Sequence, residues 1–212
     1  MKTQTIGILL FDGLTALDAV GPYDVLSKLP YSKVSFVSIQ PGTITCTGGL
    51  KLLSDCSIKD DIYFDIMVIP GGHGINALLH NDDVLRWIKE KYLKSKYTVS
   101  VCTGSLLLGA AGLLKGLKAT THWAQIDKLK VYGAIPVKKR YIQQGKIITS
   151  AGVSAGIDMA LKLAELLKNK KVAQTIQLAI EYDPDPPFDT ESPSKASPEM
   201  IDSVKRKKAT LK

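Results

Sequence analysis

Cys102 stands where a cysteine can do chemistry. The run Tyr97–Cys102 (YTVSVC) is an apolar strand pattern, and Thr103-Gly104-Ser105 opens a helix pattern with almost no loop between them. A side chain at so tight a strand-to-helix junction projects above the sheet. It also faces the unpaired N–H groups and the positive dipole end of the helix, a setting that favours the thiolate, the reactive form of cysteine. Gly71-Gly72 follow the apolar run Asp65–Pro70 (DIMVIP) and offer backbone N–H groups with no side chain to block close approach, the composition of an oxyanion site. A nucleophile also needs a group that handles protons. The first loop, Phe11–Pro22 (FDGLTALDAVGP), supplies two carboxyls. Asp12, beside Gly13, has the setting of a turn residue. Asp18 lies among Ala16, Leu17, Ala19 and Val20, apolar surroundings that favour the protonated acid. His73, just after the glycine pair, and His122 with Trp123, in Ala119–Trp123 (ATTHW), are candidate walls of a substrate pocket. His122 reads equally well as a structural histidine. Cys46, Cys56 and the histidines contain no ligand pair at metal-finger spacing, so no metal site is expected.

The elements that must position these residues alternate between short β-rich runs and longer helical patterns. Thr5–Phe11, Val34–Ile39, Asp65–Pro70 and Tyr97–Cys102 read as buried strands, and runs around Thr45 and Leu52, parted by Gly48-Gly49, as a hairpin. Helical spacing starts near Pro22 and recurs over Val84–Leu93, Ser105–Leu114, from about Trp123, over Ser154–Leu167 and over Val172–Tyr182, with short strands near Ala119, Val137, Tyr141 and Ile148. Such alternation predicts an α/β fold, a mostly parallel sheet with helices on both faces. In such sheets ligands bind at the carboxyl ends of the strands, where Cys102 and Gly71-Gly72 both fall.

Five of the ten prolines (184, 186, 187, 193 and 198) cluster after Asp183. The sequence therefore divides into a domain over 1–182 and a proline-rich wrap with a basic C-terminal helix or tail over 183–212. The net charge of +8 raises the question of nucleic acid. Glu199 to Lys212 holds five basic residues (Lys205, Arg206, Lys207, Lys208, Lys212) against two acidic ones, and the other lysines are scattered beside helix patterns without interleaved aromatics. That pattern predicts solvated lysine, not a nucleic-acid groove. Three cysteines in 212 residues are not a disulfide framework, and Ile6–Phe11 is too short for a signal core or a membrane span. A cytoplasmic protein with no membrane partner is expected.

Taken together the motifs resemble the ThiJ/PfpI superfamily and, within it, the isonitrile hydratase branch. The resemblance runs from about Ile6 to Pro193 on LDAVGPYDVL (17–26), IPGG (69–72), SVCTGSLLLGAAGLLKG (100–116), ATTHWA (119–124), AGVSAGIDMAL (151–161) and EYDPDPPFDTESP (181–193). It implies a flavodoxin-like three-layer α/β sandwich and a homodimer acting on a small molecule, hydrating an isonitrile to an N-substituted formamide without metal or organic cofactor. By position, Cys102 would be the nucleophile, Asp18 the acid/base carboxyl, and Thr103 an assistant through its hydroxyl or N–H.

The departures narrow the reading. Protease-like members carry a histidine directly after the cysteine, where this chain has Thr103. Glyoxalase-like members use a glutamate from the first loop region, where it has the shorter Asp18. The roughly thirty residues after the core are too few for the helix-turn-helix pair that a related regulator family appends. The alternatives kept are a glyoxalase- or deglycase-like enzyme, a redox-sensing protein using the same cysteine, and a noncatalytic ligand-binding domain.

Overall fold

The structure, a computed structural model, describes residues 3–190 and 192–210. Glu191 of the proline-rich stretch and Lys212 of the basic tail lie outside the described residues. The chain begins with β1 (Gln4–Leu9), α1 (Ala16–Leu26), β2 (Ser32–Ser38) and a hairpin of β3 (Thr43–Thr45) and β4 (Lys51–Leu53). A short edge strand, β5 (Cys56–Ser57), precedes β6 (Ile66–Ile69), the one-turn helix α2 (Ile75–Leu78) and α3 (Asp82–Lys94). β7 (Tyr97–Ser100) runs into α4 (Gly104–Ala110), and β8 (Lys118–Ala119), a 3-10 helix (Trp123–Tyr132) and β9 (Ile135–Pro136) follow. β10 (Tyr141–Gln144) and β11 (Ile147–Ser150) form a second hairpin before α5 (Ala155–Leu167), α6 (Lys170–Ala179) and α7 (Pro198–Thr210).

The main sheet has the order β10-β11-β7-β6-β1-β2-β5. Its pairs are parallel except β10 with β11. β6 and β11 are buried along their whole length, as strands covered on both faces must be. Helices α1, α5 and α6 pack together, and so do α3, α4 and the 3-10 helix, so each face of the sheet has its helical layer. The chain leaves β1 toward β2 on one side and returns to β6 on the other. The carboxyl ends of β1 and β6 therefore flank the switch point where this class of sheet opens a crevice.

One boundary differs from the sequence reading in a way that matters for the site. Helix α1 begins at Ala16, six residues before the start suggested by Pro22, and takes in Asp18. Pro22 thus lies in the helix interior, where it has no N–H to give to the carbonyl of Asp18 four residues back. Propensity argued for a later start, but burial of Ala19, Gly21 and Val25 against the core decides otherwise. Among the described residues no helix is long and apolar enough to cross a membrane.

Candidate active site

The junction after β7 is strained and held from both sides. Cys102 has φ 56°, the left-handed region that costs a non-glycine residue about 1–3 kcal/mol. Its N–H donates to the Ala151 carbonyl at 3.1 Å, and its own carbonyl accepts the Thr121 hydroxyl at 2.8 Å. Two segments distant in sequence thus fix the conformation that β7 and α4 alone would not choose. Helix α4 can start immediately because residue 104 is glycine: a Cβ there would lie 2.0 Å from the Ile69 carbonyl oxygen.

Asp18 and Thr103 meet across the glycine pair. The Gly71 N–H donates to Asp18 Oδ2 at 2.9 Å, and the Gly72 N–H to Thr103 Oγ1 at 3.0 Å. The first loop closes on the same turn: the Thr15 N–H donates to the Gly71 carbonyl at 2.9 Å, and Leu14 bridges Gly72 in antiparallel fashion. Asp18 is fully buried, in the first turn of α1, and does not cap that helix. The sequence reading of Gly71 and Gly72 as oxyanion donors is therefore corrected. Both N–H groups are engaged inside the protein, because the approach of Asp18 and Thr103 to this turn uses them to fix the two side chains.

A cavity of about 80 Å³ opens at these strand ends, with Cys102, Thr103, Gly72, His73 and Leu106 in its wall. It is well below the roughly 300–1,000 Å³ of pockets for drug-sized ligands, so it suits a small molecule. His73 is among its lining residues. His122 and Trp123, candidate pocket walls in the sequence, are not among the residues lining this cavity. His122 Nδ1 accepts the Ala124 N–H at 3.2 Å at the head of the 3-10 helix, and its ring stacks on Trp123 with centroids 5.5 Å apart. Thr121 of ATTHW reaches the elbow through the Cys102 carbonyl. Its hydroxyl lies inside the motif, but a partner 19 residues away leaves no mark on the sequence.

The other two cysteines are set apart chemically. Burial pushes the Cys46 thiol above its usual range, and Asp12 adds to this. Burial does the same at Cys56, with Asp60 and Asp55 adding and Lys33 and Lys91 partly offsetting. Both are held as thiols rather than nucleophiles. Among the described residues no group of three or more His, Cys, Asp and Glu side chains gathers as metal ligands would.

The profile of the DJ-1/PfpI family matches residues 4–166. The chain is 44% identical over 204 residues to an isonitrile hydratase from Pseudomonas putida, covering 96% of this chain and 90% of that protein. A crystal structure of a THiJ/PfpI family protein from Pseudomonas syringae superposes with a TM-score of 0.95 at 35% identity, covering 100% of this chain and 88% of that one. A glutathione-independent glyoxalase from Caenorhabditis elegans, DJR-1.2, is 25% identical over 135 residues, 63% of this chain and 72% of that protein.

Proposed function

The chain belongs to the DJ-1/PfpI family, and from that premise we propose that it is a hydratase converting an isonitrile to an N-substituted formamide. The observation that carries the reading is the left-handed Cys102 in the wall of a small cavity, with the buried Asp18 carboxyl and the Thr103 hydroxyl held on the neighbouring N–H groups of Gly71 and Gly72.

In this reading the Cys102 thiolate forms a C–S bond to the terminal isonitrile carbon while protonated Asp18 delivers a proton to that carbon. The product is a neutral thioimidate, R–N=CH–S, and an Asp18 carboxylate. The carboxylate then takes a proton from water as the oxygen attacks the same carbon, and passes that proton to nitrogen. Collapse of the adduct breaks the C–S bond, returns the hydroxyl proton to Asp18 and frees R–NH–CHO. One water is consumed and both side chains are restored. Thr103, whose hydroxyl is fixed by the Gly72 N–H, positions the thiolate and the attacking water. No step calls for a metal or an organic cofactor. The same reading carries a cytoplasmic homodimer, which sedimentation of the purified protein would test.

The primary test is formamide production from a simple alkyl isonitrile by wild type, Cys102→Ala and Asp18→Asn. Turnover by wild type that falls below about 1% in both variants supports the two roles. Full activity in Cys102→Ala would overturn them. The Caenorhabditis elegans relative favours one second reading, aldehyde chemistry on the same thiol. Lactate formed from methylglyoxal, with no formamide from isonitriles, would put that reading first. A protein that loses its Cys102 thiol once and forms neither product is a redox sensor.

A further inference from the structure

The cavity beside Cys102 carries more polar side chains than hydration uses. Thr15, His73, Asn76, Gln125 and Lys128 all line it, and no carboxylate does. Among the described residues none of these five side chains makes a hydrogen bond or ion pair within the protein. Some cations elsewhere are paired, as Lys28 is with Asp24, Lys162 with Glu165 and Lys96 with Asp65.

The reason Lys128 keeps its charge available lies in the helix that carries it. In a 3-10 helix residues three apart eclipse one another. Asp127, the neighbouring acid, therefore aligns with Lys130 and pairs with it at 2.8 Å. The adjoining ridge places Gln125 and Lys128 in line on the cavity wall. In an α-helix the same pair would still be neighbours, offset by about a sixth of a turn. The result is a cation and an amide donor converging on the cavity that holds the thiol, with no carboxylate in its lining.

We propose that this cavity selects an isonitrile that carries a carboxylate, with the isonitrile carbon at Cys102 Sγ and the carboxylate at Lys128 and Gln125. The proposal rests on the hydratase reading and deepens it. A spacer of one or two carbons gives the smallest such substrate, in keeping with a cavity of about 80 Å³. A planar carboxylate can accept from the lysine ammonium and from the amide N–H of Gln125 together, charge-assisted bonds that a neutral alkyl group does not form.

The test compares kcat/KM for isocyanoacetate, its neutral isostere isocyanoacetamide, and ethyl isonitrile. Wild type is expected to favour the acid over the amide by roughly tenfold, the lower end of what a hydrogen bond to a charged group is worth. Lys128→Glu is expected to bring that ratio below one, and Gln125→Met to lower it. Raising the salt concentration should shrink the wild-type preference, since Lys128 is exposed. Equal turnover of acid and amide, with ethyl isonitrile hydrated normally, would overturn the selectivity while leaving the hydratase standing. A preference for the acid that survives Lys128→Glu would overturn it too. Failure of all three substrates would remove the hydratase reading, and this inference with it.

Discussion

Two buried aspartates sit at opposite ends of β6, and they are held in different ways. Asp65, just before the strand, is 1% exposed and receives the Thr5 N–H at 3.0 Å, the Thr5 hydroxyl at 3.2 Å, the Tyr63 hydroxyl at 3.3 Å and the Lys96 ammonium at 3.0 Å. Asp18 reaches the far end of the same strand and takes the N–H of Gly71 there. At the amino end, charge and hydrogen bonds stitch β1 to β6 and to the start of β7. At the carboxyl end the chain accepts a left-handed cysteine and glycines packed too tightly for any Cβ. Stability is concentrated at one end of the sheet and strain at the other, which is how α/β enzymes commonly divide the two.

The largest effect that would sharpen this contrast is at Cys102. Cys102→Gly is expected to lower formamide production by about 10³-fold or more. The same change relieves a positive φ, offsetting the loss of a small buried side chain, so the midpoint of thermal unfolding should hold or rise by about 2–4 °C. A fall of several degrees would show that the elbow stores no strain, and the contrast would break. Next comes Gly71→Ala. A Cβ at residue 71 would lie 2.4 Å from Thr103 Oγ1 and 2.5 Å from the Thr103 nitrogen, so the elbow must shift. Activity is expected to drop about 10²-fold from misplacement alone, with a stability loss of about 1–3 kcal/mol from overpacking. Unchanged kinetics in Gly71→Ala would mean that Thr103 need not hold its place.

How much of this the sequence carried varies from residue to residue. Strands such as Ile66–Ile69 are legible because both faces are buried, leaving a continuous apolar run. The elbow is legible because strand and helix patterns abut at Cys102 with Gly104 between them. The edge strand Cys56–Ser57 is too short to show a period, and α2 is a single turn with the same defect. The engagement of the Gly71 and Gly72 N–H groups is a tertiary fact, since Asp18 lies 53 residues from one and Thr103 31 residues from the other. Gln125 and Lys128 are not legible for a different reason. Their alignment depends on a 3-10 helix of ten residues, far longer than the usual three or four, and polar residues three apart do not announce which helix carries them.

The amino end gives smaller and purely structural expectations. Asp65→Asn should cost about 1.5–3 kcal/mol, the range for hydrogen bonds to a charged group. Most of this belongs to Thr5, because Lys96 is half exposed and a pair of that kind contributes less than about 1 kcal/mol. Activity per folded molecule should remain that of wild type, unlike Asp18→Asn. The pH dependence separates charge from shape at this position. Burial pushes the Asp65 carboxyl up, but the Thr5 N–H, then Lys96, and then the Thr5 hydroxyl outweigh it and hold the group below the usual carboxylate range. A group more acidic when folded than when unfolded stabilises the fold at every pH above its unfolded value, about 3.9. That contribution is lost as pH falls through the depressed folded value. Chemical denaturation of wild type and Asp65→Asn should therefore show a constant gap from neutral pH to about pH 5, narrowing below about pH 4. A gap of unchanged size at about pH 2 would mean that Asp65 acts through packing, and the amino end would then owe its stability to shape instead of charge.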